Sequence, residues 1–262
     1  MFDHLRPLRA TAQLDRMALN TAPIMAHEKT PTASATPSSG DTPLPITIYS
    51  DVICPWCYVG KRRFEKALTA PGMPQQLAVT WRPFELNPDM PAEGRERTAY
   101  RAAKFGPAKA QQLDQQMTAT GREVGIIFAF DKQPRTPNTR LAHRLIWQAQ
   151  RQGLEAQNAL VDRLFKAYFE QGLDIGSKDV LLELANAAGL DPNDADFALD
   201  DDSSLEAVLD LEAAGVNLGI RGVPFFLLIN KYAISGAQPS EVWQDALSKV
   251  AAERRNELSA LA

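Results

Sequence analysis

Ile46-Thr47-Ile48-Tyr49-Ser50-Asp51-Val52-Ile53-Cys54-Pro55-Trp56-Cys57 is the stretch on which the fold of this chain turns. Ile46 to Ser50 is a strand-like run, and the pattern from Tyr58 onward is helical. Between them stand the only two cysteines of the 262-residue chain, in a C-x-x-C arrangement. Dithiol redox chemistry needs this junction. The first thiol sits at a helix N-terminus, where free backbone N–H groups and the dipole favour a thiolate. The second comes round to nearly the same face and can attack a mixed disulfide. Pro55 fits the first helical turn, where its missing N–H costs nothing.

Other uses of the pair fit less well. Structural zinc needs about four ligands and one C-x-x-C supplies two. Of the three histidines, His4 and His27 lie in a polar tail, leaving His143; no metal site is expected. Two inert core cysteines at this spacing behind a strand would be a coincidence. A static disulfide closing so small a loop would constrain the unfolded chain little.

Working outward, Leu77 to Phe84 reads as a second strand, with Pro83 near its end. A helix from Cys57 to about Ala70 separates the strands, so a right-handed parallel βαβ unit is expected. The middle of the chain is helical: two helices broken at Gly106-Pro107, then Thr139 to Gln152, then the Leu160 to Phe169 face, then a helix capped by Ser177 and stopped at Gly189. A further helix over Ser204 to Ala214 follows the acidic Asp200-Asp201-Asp202, which lacks the calcium-loop pattern and reads as a solvated helix start. Strands return at Phe225 to Ile229 and Tyr232 to Ser235, around an Asn230-Lys231 turn. A last helix runs from Ser240 to about Leu258. The order β-α-β, helices, β-β-α leaves two half-sheets, and one sheet assembled from both ends is the simplest way to bury them.

Composition bounds the function. With 45% hydrophobic and 23% charged residues the chain is an ordinary globular protein, and its formal charge of −4 offers no basic field for nucleic acid or anionic lipid. No apolar run approaches a membrane span. Residues 1–44 are polar and read as a disordered extension with no secretory h-region. Asp3, Asp15 and Glu28 argue against a transit peptide despite Arg6, Arg9 and Arg16.

Gly222-Val223-Pro224 directly precedes the third strand. A proline there belongs at a strand's first residue, since it cannot donate to a ladder. With this segment the chain resembles the DsbA family of thioredoxin-fold proteins, and within it the FrnE-like branch. Ser50 to Arg62, Trp81 to Pro91, Asn138-Thr139 with Ala142-His143, Ala167-Tyr168-Phe169, Gly222 to Phe226 and Ile234 to Gln238 carry the resemblance, over about residues 45–255. It implies an α/β thioredoxin fold with a large all-helical insertion, divided as residues 45–91 and 217–262 for the thioredoxin-like domain and 92–216 for the insertion. It also implies a cis-Pro224 that presents the Val223 backbone to an extended substrate, and thiol-disulfide exchange.

On that reading Cys54 is the attacking and leaving thiol and Cys57 the buried resolving thiol. DsbA enzymes that oxidise strongly carry histidine where Trp56 stands. Trp56 has no charge to give a thiolate, so a weaker oxidant is expected, between roughly −120 mV for DsbA and roughly −270 mV for thioredoxin. Trp56 and Tyr58 are expected to form an apolar rim for substrate side chains, with burial against the insertion as the alternative. Glu85 is the candidate buried acid that takes the Cys57 proton; an exposed strand-end carboxylate is the other reading. Asn138 is a candidate cleft residue, and His143 reads as a satisfied or solvated helical histidine, with a polar group lining the cleft as the other reading.

Kappa-class glutathione transferases and 2-hydroxychromene-2-carboxylate isomerases are similar around Arg82-Pro83-Phe84, Asn138 and the Val223-Pro224 step. They imply the alternative of glutathione-dependent chemistry on a small molecule. A serine typically stands in them where Cys54 stands, so the intact pair argues for redox exchange. A holdase-like binder that ignores its thiols is a third reading. The partners expected are thiol or disulfide proteins or small thiols. No bound cofactor is expected, and glutathione is the one co-substrate left open. With no export signal in view, a cytoplasmic setting is expected, where the direction is reduction or isomerisation.

Overall fold

The computed structural model describes residues 5–7 and 43–261. Strand β1 (Arg6–Pro7) is followed by β2 (Leu44–Ser50), helix α1 (Pro55–Leu68) and β3 (Leu77–Pro83). β2 and β3 pair in parallel, with Ile46 opposite Val79 and Ile48 opposite Trp81. This is the βαβ unit that the sequence predicts.

β6 (Phe225–Leu228) and β7 (Tyr232–Ser235) form an antiparallel hairpin. Its turn places Ile229 and Asn230 at positive φ, which suits a tight two-stranded connection. β6 lies antiparallel against β2, so the sheet order is β1-β7-β6-β2-β3 and both ends of the chain build one sheet. Arg6–Pro7 pair with Tyr232–Ala233 at the outer edge, within the stretch read from sequence as a disordered extension. Residues 1–4 and 8–42 of that extension lie outside the described residues.

The fold is therefore α/β, a thioredoxin fold with a helical insertion. On one side of the sheet, Phe64 of α1, Phe226 of β6 and Trp243 of α9 (Ser240–Leu261) form an aromatic knot, with ring centroids 4.5–6.0 Å apart. Burying side chains of this size contributes about 1.5–3 kcal/mol each. Tyr49 points to the opposite face, as alternation along β2 requires. It packs there with Leu227 and Ile220.

The insertion begins with α2 (Arg97–Phe105) and α3 (Pro107–Glu123), broken at Gly106 as the sequence predicts. α4 (Arg140–Gln152), α5 (Leu154–Lys166), α6 (Lys178–Ala187), α7 (Pro192–Asp200) and α8 (Asp202–Asn217) follow. Asp201 caps α8 through the Ser203 N–H, consistent with the acidic run being a helix start. α7 and the two-residue ribbon β4 (Arg95–Glu96) with β5 (Arg135–Thr136) were not expected from sequence.

The insertion is clamped to the sheet edge. β3 is an edge strand, and an open edge leaves backbone groups unpaired. Gln157 of α5 closes it: its amide accepts from the Trp81 N–H at 2.9 Å and donates to the Trp81 carbonyl at 3.0 Å. Gln157 is fully buried, so both bonds are made away from water, where an unmade one costs most.

Candidate functional site

β2 delivers the motif to the sheet edge, and the chain turns at Asp51, whose carbonyl accepts from the Cys54 N–H at 3.0 Å. Cys54 is the N-cap of α1, in extended conformation, and its side chain makes no capping bond. Pro55 follows at the first helical position. The Cys57 N–H closes the first turn onto the Cys54 carbonyl at 3.0 Å. Both cysteines are free thiols on that one turn. Two thiols so placed are the working unit of a disulfide-exchange protein.

Both are buried, Cys57 at 1% exposure and Cys54 at 5%. Cys54 is thus more enclosed than the sequence suggests. Burial, and then the neighbouring Cys54 sulfur, push the Cys57 thiol well above its ordinary range, against the Ser50 hydroxyl and the Asp51 backbone N–H. Ser50 Oγ is itself buried and bears on the Cys57 sulfur without the geometry of a full hydrogen bond among the described residues.

The second half of the site arrives from the far end of the chain. The Cys54 thiol points at the Val223 carbonyl, 3.7 Å away. The Val223–Pro224 peptide bond is cis. Pro224 is buried at the head of β6, while Val223 keeps partial exposure. Helix α1 comes close here because position 60 is glycine: a Cβ there would stand 3.0 Å from Pro224 Cγ. Trp56 is 37% exposed beside the thiols.

Other expected residues fall differently. Tyr58 is fully buried and is no rim: it stacks on Phe165 at 5.0 Å and bonds Glu170. The motif helix thereby leans on the insertion. Glu85 is buried, its side chain 1% exposed, and is held by Arg140 in a two-pronged pair at 2.9 and 3.2 Å. Asn138 spends its amide on chain geometry, donating to the Met90 carbonyl at 2.7 Å and accepting from the Arg140 N–H at 2.9 Å.

His143 is neither solvated nor conventionally satisfied. It is 2% exposed, with Nε2 3.6 Å from Asp51 Oδ1 and no hydrogen-bond partner for Nε2 among the described residues. Asp51 is wholly buried, and its carboxylate accepts from the Leu86 N–H at 2.8 Å and the Ile53 N–H at 3.3 Å. Sequence reasoning passed over Asp51, although an acid between a buried strand and a C-x-x-C is itself a signal that something pairs with it.

A thioredoxin fold with a dithiol at a helix N-terminus, facing a proline-headed strand, defines a class, and comparison places the chain within it. The DSBA-like thioredoxin domain model matches residues 45–248, and the chain belongs to that family. The uncharacterised protein YwbO of Bacillus subtilis is 30% identical over 209 residues, covering 78% of this chain and 95% of that protein. Among solved structures, the probable DsbA oxidoreductase SCO1869 from Streptomyces coelicolor is 33% identical, with a TM-score of 0.72, covering 80% of this chain and 91% of that one. The cytosolic disulfide reductase DsbM from Pseudomonas aeruginosa, at 19% identity and a TM-score of 0.56, covers 84% and 100% and shares the fold.

Proposed function

We propose that this chain is a thiol-disulfide oxidoreductase of the reductase or isomerase type, of the FrnE-like branch, working through Cys54 and Cys57. The observation that carries the reading is the pair of free thiols on one helical turn, with Cys54 Sγ set against the Val223 carbonyl.

In reduction of a disulfide R–S–S–R′, the Cys54 thiolate attacks one sulfur. A Cys54–S–S–R bond forms and R′–S⁻ leaves with the electron pair. Cys57 then loses its proton and attacks Cys54 Sγ, closing the Cys54–Cys57 disulfide and releasing R–S⁻. The surroundings of Cys57 support that order. While Cys54 carries charge it holds the Cys57 thiol up. Once Cys54 is in a mixed disulfide that charge is gone, and Cys57 ionises more readily.

The Val223 backbone and Pro224 present an extended edge to the substrate, and Trp56 supplies the exposed apolar contact. Two equivalents of glutathione regenerate the dithiol in a reducing compartment, which fits a cytoplasmic protein. Cys57→Ser tests the scheme: with glutathione disulfide it accumulates a mixed disulfide on Cys54, whereas Cys54→Ser forms none. Equal turnover by both variants and wild type would end the proposal.

A further inference from the structure

Beside the active-site turn lies a charged cluster, buried at Asp51, Glu85 and His143 and half-buried at Arg140 and Glu212, that thiol exchange as written does not use. Asp51 comes from the end of β2, Glu85 from the end of β3, Arg140 and His143 from α4, and Glu212 from α8. Arg140 is committed to Glu85, so the charge facing Asp51 at close range is His143. Among the described residues no group of three or more of these side chains is arranged to hold a metal ion.

Asp51 bridges this cluster to the chemistry. Its carbonyl holds the Cys54 N–H at 3.0 Å, at the start of the helical turn that carries both thiols. Its carboxylate, 1% exposed, stands 3.6 Å from His143 Nε2. A buried carboxylate without a counter-charge is costly, and a buried imidazole beside one gains a reason to be charged.

We propose that His143 is a positioning residue for the resolving thiol: as an imidazolium seated against Asp51, it cancels the carboxylate's charge beside the active-site turn and so spares the Cys57 thiolate a repelling anion. This rests on the oxidoreductase reading above. The step it assists is attack of Cys57 Sγ on Cys54 Sγ, in which the Cys57 proton passes to buffer, the Sγ–Sγ bond forms and the departing thiolate takes the electron pair. His143 exchanges no atom with the substrate.

The groups facing His143 agree. Burial lowers its affinity for a proton, but Asp51, Glu212 and Glu85 together outweigh burial and leave it above its ordinary value. Tyr168, from the turn after α5, also faces Asp51; burial keeps its phenol neutral. Asp51 is therefore balanced by His143 alone among these neighbours, Arg140 being occupied.

Ellman's reagent separates the two steps. Cys54 attack releases the first thionitrobenzoate at a rate set by reagent concentration, and Cys57 attack releases the second at a rate independent of it. The second phase is followed from about pH 6 to pH 9 in wild type, His143→Gln and Asp51→Asn. His143→Gln is expected to slow it about tenfold at low pH, one pKa unit's worth. The gap closes as pH rises and wild-type His143 loses its proton. Asp51→Asn removes the carboxylate, so its second phase runs close to wild type at low pH and outruns it as pH rises and wild-type Asp51 is left unbalanced. A His143→Gln ratio that stays flat with pH assigns the residue a merely structural role and overturns the proposal. NMR titration of the imidazole in wild type covers the case in which a variant does not fold: a ring neutral across the range overturns it as well. A wild type that releases only one thionitrobenzoate overturns the oxidoreductase reading itself, and this proposal with it.

Discussion

The Cys54 sulfur lies 3.7 Å from the Val223 carbonyl oxygen, although 169 residues separate them in sequence. The thiol from the first half of the fold and the proline-headed strand from the second meet across one sheet. A substrate laid along the Val223 edge would bring its disulfide to the Cys54 thiol with little further ordering. Closing the sheet between β2 and β6 therefore also assembles the site.

Trp56 is the exposed aromatic at that meeting point, and its role is separable from the chemistry. Trp56→Ala leaves stability within about 0.5 kcal/mol, as surface changes usually do. It lowers the second-order rate with a peptide disulfide carrying apolar side chains about tenfold, the scale of losing an interface anchor. The rate with glutathione disulfide, which offers no such side chain, changes little. Equal losses with both substrates would remove Trp56 from the substrate contact.

Arg140→Ala leaves the Glu85 carboxylate buried without its partner. Breaking a buried pair from one side costs about 3 kcal/mol, read as a lower urea midpoint. Adding Glu85→Gln to that variant recovers much of the loss, because the residual cost is the unpaired charge.

The fold weakens with rising pH on account of two groups. Burial, with Glu85 nearby, pushes Glu212 up to about 7, and His143 is held above its ordinary value despite its burial. Both bind a proton more tightly folded than unfolded. The stability they contribute is complete below their unfolded values, about 4.3 and about 6.5. It is lost as pH rises through the folded ones. Between about pH 6 and pH 8 wild type loses about 1 kcal/mol, after discounting for the remaining exposure of Glu212. Glu212→Gln flattens that decline. A thermal midpoint that rises over the same range would contradict it.

Gly215 of α8 sits against the Tyr49 ring, and a Cβ there would stand 2.7 Å from Tyr49 Cε1. Tyr49 is 2% exposed and has little room to yield. Gly215→Ala therefore destabilises by about 1–3 kcal/mol through overpacking, despite alanine's better helix propensity.

Much of the fold is legible in the sequence, because β2, β3, β6 and β7 are short apolar runs bounded by turn residues. The parallel pairing of β2 with β3 follows from the single helix between them. α7 is not legible: Pro192 to Asp200 is acidic and carries Phe197 exposed at 55%, so its periodicity is weak. The pairing of Arg6–Pro7 with β7 depends on an edge that only the assembled sheet creates. At the site the cysteines and Val223-Pro224 are legible from local chemistry. Glu85 is read as an acid near the thiols, and its partner Arg140, 55 residues on, is visible only in three dimensions. The same holds for Asp51 and His143, whose meaning comes from being buried together.

The most direct test is a redox titration in glutathione buffers, reading free thiols, intramolecular disulfide and glutathione adducts by mass. The account predicts a reversible two-electron Cys54–Cys57 disulfide, with a potential between about −270 and about −120 mV. A stable glutathione adduct on Cys54, or tight glutathione binding with no disulfide formed, would contradict it and favour glutathione-dependent transfer or isomerisation on a small molecule.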